Sequence, residues 1–170
     1  LKLAIIAGKH QYLQFLDFYN QRDYISIVKQ SLYIKKVIVE KDELEKNERR
    51  VLNYGHTLGH AIEISTDYYV PHGIAVLLGI YYINKLFEIT EFDEVNNLIL
   101  TMIPERYKIN IDTEMVCKHV LNDKKNNGTS ICFIVLETYG ISRFNFLDFN
   151  IFKSTFSGFL VNISAILTLL

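Results

Sequence analysis

Apolar residues recur at helical spacing over positions 1–18 and again over 24–39, which predicts two amphipathic helices. A charged run follows at 40–50, with Lys41, Asp42, Glu43, Glu45, Lys46, Glu48, Arg49 and Arg50. Positions 51–64 read as a helix despite Gly55 and Gly59, whose missing side chains would let another backbone or a ligand approach closely. Pro71 precedes His72-Gly73, and 74–87 reads as a buried helix; shorter helices are expected at 93–102 and 113–121. Positions 123–128 (DKKNNG) form a turn-rich loop. Beyond it, 129–136 is β-branched and apolar, and Tyr139-Gly140 leads into 141–146, which suggests a small hairpin before a last helix from about Phe149. There is no internal repeat, linker or low-complexity tract. The pattern predicts a mainly α fold, with one helical domain over 1–170 and a minor β element.

Composition narrows the function classes. The 170 residues are 49% hydrophobic, enough to fill one core. Net charge is −1, without the basic excess of a non-specific nucleic-acid binder, so no nucleic-acid partner is expected. Any anionic ligand must then be held by locally placed cations. The longest apolar stretches, 70–83 and 156–170, are interrupted by polar residues and fall short of the roughly 18–20 residues that span a bilayer, so no membrane partner is expected. Cys117 and Cys132 lie far apart without CxxC spacing, which suits reduced thiols in a cytoplasmic protein. No basic n-region or small-residue cleavage site opens the chain, and no signal peptide is expected.

The chemistry concentrates around Asn53-Tyr54-Gly55-His56-Thr57-Leu58-Gly59-His60-Ala61-Ile62-Glu63. On a helix, His56 and His60 project from one face a turn apart, a spacing that suits two imidazoles converging on a divalent metal. Two histidines packed in a helix interface would give the same pattern. His72 follows twelve positions later behind a proline, and could close over the first pair. Glu63 and Glu45 are candidate carboxylate ligands, and spacing does not choose between them. Lys35, Arg49, Lys124 and Lys125 could pair with carboxylate or phosphate oxygens, although each taken alone fits a solvated helix face or loop better. Asn53, three residues before His56, could face the same site or cap a helix.

As an ordered set these residues are far more specific than any one of them. Lys35, then Asp42-Glu43-x-Glu45-x-x-x-Arg49-x-x-Leu52-Asn53-x-Gly55-His56-Thr57-x-Gly59-His60-Ala61-Ile62-Glu63, then His72-Gly73-x-Ala75-Val76 and Asp123-Lys124-Lys125-x-x-Gly128, resemble the signature of the 3-dehydroquinate synthases. The resemblance implies the helical C-terminal domain of that fold. It also implies the family's reaction, in which a seven-carbon keto-acid phosphate (DAHP) is cyclised to 3-dehydroquinate of the shikimate pathway with loss of phosphate. Bound NAD and a divalent metal, zinc or cobalt, serve as cofactors. By motif match, His56 and His72 resemble metal ligands, and His60 resembles a proton-transfer residue beside the metal. Glu45 matches a carboxylate with an acid/base or positioning role. Arg49 and Asn53 match substrate-binding positions, as do Lys35 and one of Lys124 and Lys125. The family tends to form homodimers.

The departures bear on activity. The family's third metal ligand is a glutamate in a Glu-x-[Ile/Leu]-Lys run, whereas this chain opens with Leu1-Lys2, as if cut just after it. Lys2 would then be a substrate-binding lysine. No GxGxxG-like segment is present, so the α/β NAD-binding domain is expected to be missing, and the chain is expected to catalyse nothing alone. Alternative readings are a related sugar-phosphate cyclase of another product, a relative of the metal-dependent alcohol dehydrogenases, or a non-catalytic helical remnant.

Overall fold

The computed structural model describes residues 1–107, 109, 111–121 and 130–167, with side chains to residue 158. The turn-rich loop expected at 123–128, with Lys124 and Lys125, lies outside the described residues. The contacts divide the chain into two units, Leu1–Tyr54 with Leu136–Arg143, and Gly55–Val135 with Phe144–Leu170.

In the first unit, α1 (Lys2–Ala7), α2 (Lys9–Asn20) and α3 (Tyr24–Lys41) pack on one another, and a 3-10 turn follows at Glu48–Asn53. The helix expected over 1–18 is therefore two helices. Gly8 breaks it at φ 125, a conformation that residues with a side chain rarely adopt, while the apolar spacing continues across the break. Gly140, at φ 79 between the two strands, sits against this break: its N–H donates to the Ile5 carbonyl at 3.0 Å, and a Cβ there would lie 3.3 Å from Gly8 Cα. The Asp23 carboxylate caps α3, accepting from the Ser26 amide at 3.0 Å and the Ser26 hydroxyl at 2.6 Å. Asp42 organises the charged run beyond α3, because its carboxylate accepts from the backbone amides of Lys46, Asn47 and Arg49 at 3.0, 2.7 and 3.1 Å. These bonds and the Arg49 charge hold the Asp42 carboxyl below its ordinary range.

In the second unit, α4 (His56–Ser65) packs on α5 (His72–Leu86) and on α7 (Thr113–Leu121), and α6 (Asp93–Met102) packs on α5. The expected helix over 51–64 is thus a correction. The 3-10 turn ends at Asn53, Gly55 takes a left-handed conformation at φ 80, and α4 starts at His56. Asn53 and His56 therefore belong to different elements and do not share one helix face. Helix α5 is the buried centre, with Ala75, Val76, Leu78, Gly79, Ile80, Tyr81, Tyr82 and Ile83 all buried. Its contact with α4 is backbone on backbone: a Cβ on Gly59 would meet Val76 Cα at 3.1 Å, and one on Gly79 would meet the Gly55 carbonyl oxygen at 2.1 Å. Strand β1 (Ser130–Thr138) pairs with β2 (Ile141–Asp148), and α8 (Phe149–Leu167) follows directly. The strands run somewhat further than the apolar pattern suggested. Phe133, Phe152, Phe156 and Tyr82 form a ring cluster with centroid separations of 5.6, 5.1 and 5.2 Å along the series. Among the described residues, no helix is long and apolar enough to cross a membrane.

Candidate metal centre and anion-binding groups

Helix α4 supplies His56 in its first turn and His60 one turn on; Pro71, at φ −63 and ψ 149, delivers the chain into α5 so that His72 is its first residue. Because the glycine contacts bring α4 and α5 together, the three rings meet. Ring centroids lie 5.3 Å apart for His56–His60, 5.4 Å for His56–His72 and 5.7 Å for His60–His72. One nitrogen of each imidazole lies within 4.8 Å of the other two, and His60 and His72 are exposed. Nitrogens sharing a tetrahedral zinc at about 2.0–2.1 Å stand roughly 3.4 Å apart, so rotations of about 1 Å at the ring ends bring these donors into register. Three neutral imidazoles suit a borderline cation such as zinc or cobalt. The residues fit the metal that the sequence implied.

Glu63 stands beside this group rather than in it. It lies on α4, and its Oε2 accepts a hydrogen bond from His72 Nδ1 at 2.9 Å. Spacing had left Glu63 and Glu45 equal as carboxylate ligands; among the described residues neither belongs to the group of converging donors.

The remaining residues singled out in the sequence lie in the first unit. Glu45, at φ 55, accepts from Asn53 Nδ2 at 2.7 Å, so the asparagine holds a carboxylate instead of capping a helix. Arg49 is half-buried and donates from Nη1 to the Glu43 carbonyl at 2.7 Å. Lys2 Nζ donates to the Leu52 carbonyl at 2.7 Å. Burial pushes the Lys2 ammonium down to about 8, and the Lys35 ammonium nearby pushes in the same direction. Two neighbouring ammonium groups of like charge form a place where an anion lowers the energy of both. The Leu52 anchor of Lys2 and the contact between Glu63 and His72 were not read from the sequence. Gly79 was missed too, although a glycine inside an otherwise bulky buried run was the available signal.

The second unit gathers three imidazoles from two packed helices as a candidate metal centre, and the first unit holds Lys2 and Lys35 as candidate anion-binding groups. Residues 1–126 match the family described as 3-dehydroquinate synthase C-terminal, and the chain belongs to that family. It is 37% identical over 131 residues to a 3-dehydroquinate synthase of Thermodesulfovibrio yellowstonii, a match covering 72% of this chain and 36% of that protein. It is 30% identical over 166 residues to a 3-dehydroquinate synthase of Clostridium botulinum, covering 90% and 47%. The chain thus spans between about a third and a half of the curated relatives it matches. Its fold is that of 2-deoxy-scyllo-inosose synthase, with a TM-score of 0.69 at 19% identity, over 90% of this chain and 46% of that one. A second structure of that enzyme, complexed with carbaglucose-6-phosphate, NAD+ and Co2+, gives a TM-score of 0.62 at 20% identity, over 73% and 39%.

Proposed function

We propose that this chain is the metal- and substrate-binding part of a 3-dehydroquinate synthase that cyclises the seven-carbon keto-acid phosphate DAHP to 3-dehydroquinate with elimination of phosphate. The observation that carries this reading is the convergence of His56, His60 and His72 where α4 meets α5. Metal-site chemistry thereby coincides with a sequence match to the synthases over residues 1–126.

In this reading His56 and His72 hold a divalent zinc or cobalt ion, while His60 moves a proton at the substrate hydroxyl beside it. The metal would lower the pKa of the hydroxyl to be oxidised, and NAD would supply the reversible oxidation that acidifies the neighbouring C–H for phosphate loss. Glu45, steadied by Asn53, positions a hydroxyl or takes its proton. Arg49 retains donors beyond its bond to Glu43 for a carboxylate or phosphate. Lys2 and Lys35 neutralise the acidic groups of the sugar, and one of Lys124 and Lys125 adds a further cation. The protein acts on a small molecule in the cytoplasm, as a homodimer. Because these residues also suit other sugar phosphates, the test is release of inorganic phosphate by the intact encoded protein, with NAD and Co2+. Turnover of DAHP that stops on removing either cofactor supports the reading. Turnover of a hexose phosphate instead would move the protein to a sister cyclase, and no turnover of either would end the enzymatic reading.

A further inference from the structure

We infer that Glu63 is a positioning residue for the metal centre, fixing the ring of His72 so that its Nε2 is the ligating nitrogen. This inference rests on the metal reading above and adds a residue to it. An ionised carboxylate only accepts hydrogen bonds, so the 2.9 Å contact between Glu63 Oε2 and His72 Nδ1 puts the imidazole proton on Nδ1. Nε2 is then unprotonated and carries the lone pair a metal requires. Among the described residues no backbone group bonds the His72 ring, which opens α5 directly after Pro71 and is 55% exposed in its side chain. An exposed imidazole samples both tautomers and several ring orientations.

Glu63 itself is well placed to impose one. Its side chain is only 13% exposed, and it sits in the last turn of α4, the helix that also carries His56 and His60. The contact therefore ties the single ligand of α5 to the helix bearing the other two imidazoles. The Gly59 and Gly79 contacts set the distance between the helices; Glu63 sets the direction of the ring. A structural ion pair would be the competing role. With His72 55% exposed, such a pair is partly screened by solvent, and the metal-free melting temperature separates the two roles.

The test is Co2+ titration of the intact protein, followed by the visible ligand-field spectrum, with the metal-free melting temperature recorded for each variant. Glu63→Ala should weaken Co2+ binding by about 10- to 100-fold, the usual effect of removing such an orienting partner, and alter the band shape. Glu63→Gln can still accept from Nδ1–H through its amide oxygen, and should stay within about threefold of wild type. Co2+ affinity in Glu63→Ala within threefold of wild type overturns the inference, as do equal losses in the two variants. A lower metal-free melting temperature with unchanged affinity would also overturn it, by showing a purely structural residue. If the wild-type protein and His56→Ala both show no Co2+ spectrum, the metal reading itself fails, which is a separate and recognisable result.

Discussion

Substituting Gly79 by alanine perturbs the metal centre without touching any of its residues. The added Cβ would sit 2.1 Å from the Gly55 carbonyl oxygen, 2.9 Å from the Gly59 amide nitrogen and 3.0 Å from the Gly55 carbonyl carbon. All three atoms are backbone, so no flexible side-chain tip can yield. Ordinary contact requires α4 and α5 to separate locally by about 1 Å, and overpacking of this kind costs roughly 1–3 kcal/mol. At the upper end, about 3 kcal/mol, the melting temperature should fall by roughly 6–12 °C for a chain of this size. The same separation moves His56 and His60 on α4 away from His72 on α5. Metal sites tolerate only about 0.2 Å in ligand distance, so Co2+ affinity should fall at least about tenfold even where the protein stays folded. Circular dichroism melts with and without Co2+, on the intact protein, measure both effects. Gly73→Ala is the control: a Cβ there meets nothing within 4 Å, and it should leave stability unchanged or raise it by up to about 1 kcal/mol. A Gly79→Ala protein that melts within about 2 °C of wild type and binds Co2+ equally well would refute the claim that this helix contact builds the site.

Three further outcomes are expected. His56→Ala should remove both bound metal and turnover, whereas His60→Ala should retain metal and lose turnover; metal analysis beside a phosphate-release assay checks this, and equal retention in both would refute the division of roles. Arg49→Ala should reduce kcat/KM by the equivalent of about 1–3 kcal/mol, the scale of a charge-assisted contact, and an unchanged value would make Arg49 a loop-stabilising residue only. Lys2 loses its proton near pH 8, so anion binding should weaken as pH rises through 8. Its folded-state pKa is lowered, so the unfolded chain binds more protons between about 8 and 10.5, and stability should rise with pH in that window. Lys2→Met should flatten both profiles, measured by anion titration and by denaturant unfolding across pH.

Periodicity carried the helical plan but not its interruptions. Apolar spacing runs unbroken through Gly8 and through 51–64, because a left-handed glycine redirects the backbone without disturbing the order of apolar residues. Nothing in such an order distinguishes a glycine tolerated in a helix from one that ends it. Helices α6 and α7 were legible to the residue, and α5 as a buried helix, because their apolar runs are bounded by acidic residues, Thr113 or Pro71. Helix α3 was legible as a helix only. Its buried set within this chain is Ile34 alone, while Tyr24, Ile25, Val28 and Leu32 are exposed.

The histidine group was legible for a local reason: an i, i+4 pair on one helix and a proline-led turn suffice to nominate three imidazoles. The place of Glu63 was not. Three positions after His60 and seven after His56, it lies on the same helical face as both, so sequence spacing treats a ligand and an orienting carboxylate alike. Only the 2.9 Å contact with His72 separates them. The pairing of Asn53 with Glu45 was hidden similarly, because it depends on the loop that Asp42 folds across the charged run.

X-ray absorption at the cobalt edge, on the intact protein loaded with one equivalent of Co2+, reports whether the histidines of α4 and α5 hold a metal. A shell containing imidazole nitrogens at about 2.0–2.1 Å is expected, lost in His56→Ala and in His72→Ala. A spectrum of hydrated cobalt, or one that neither substitution changes, would contradict it.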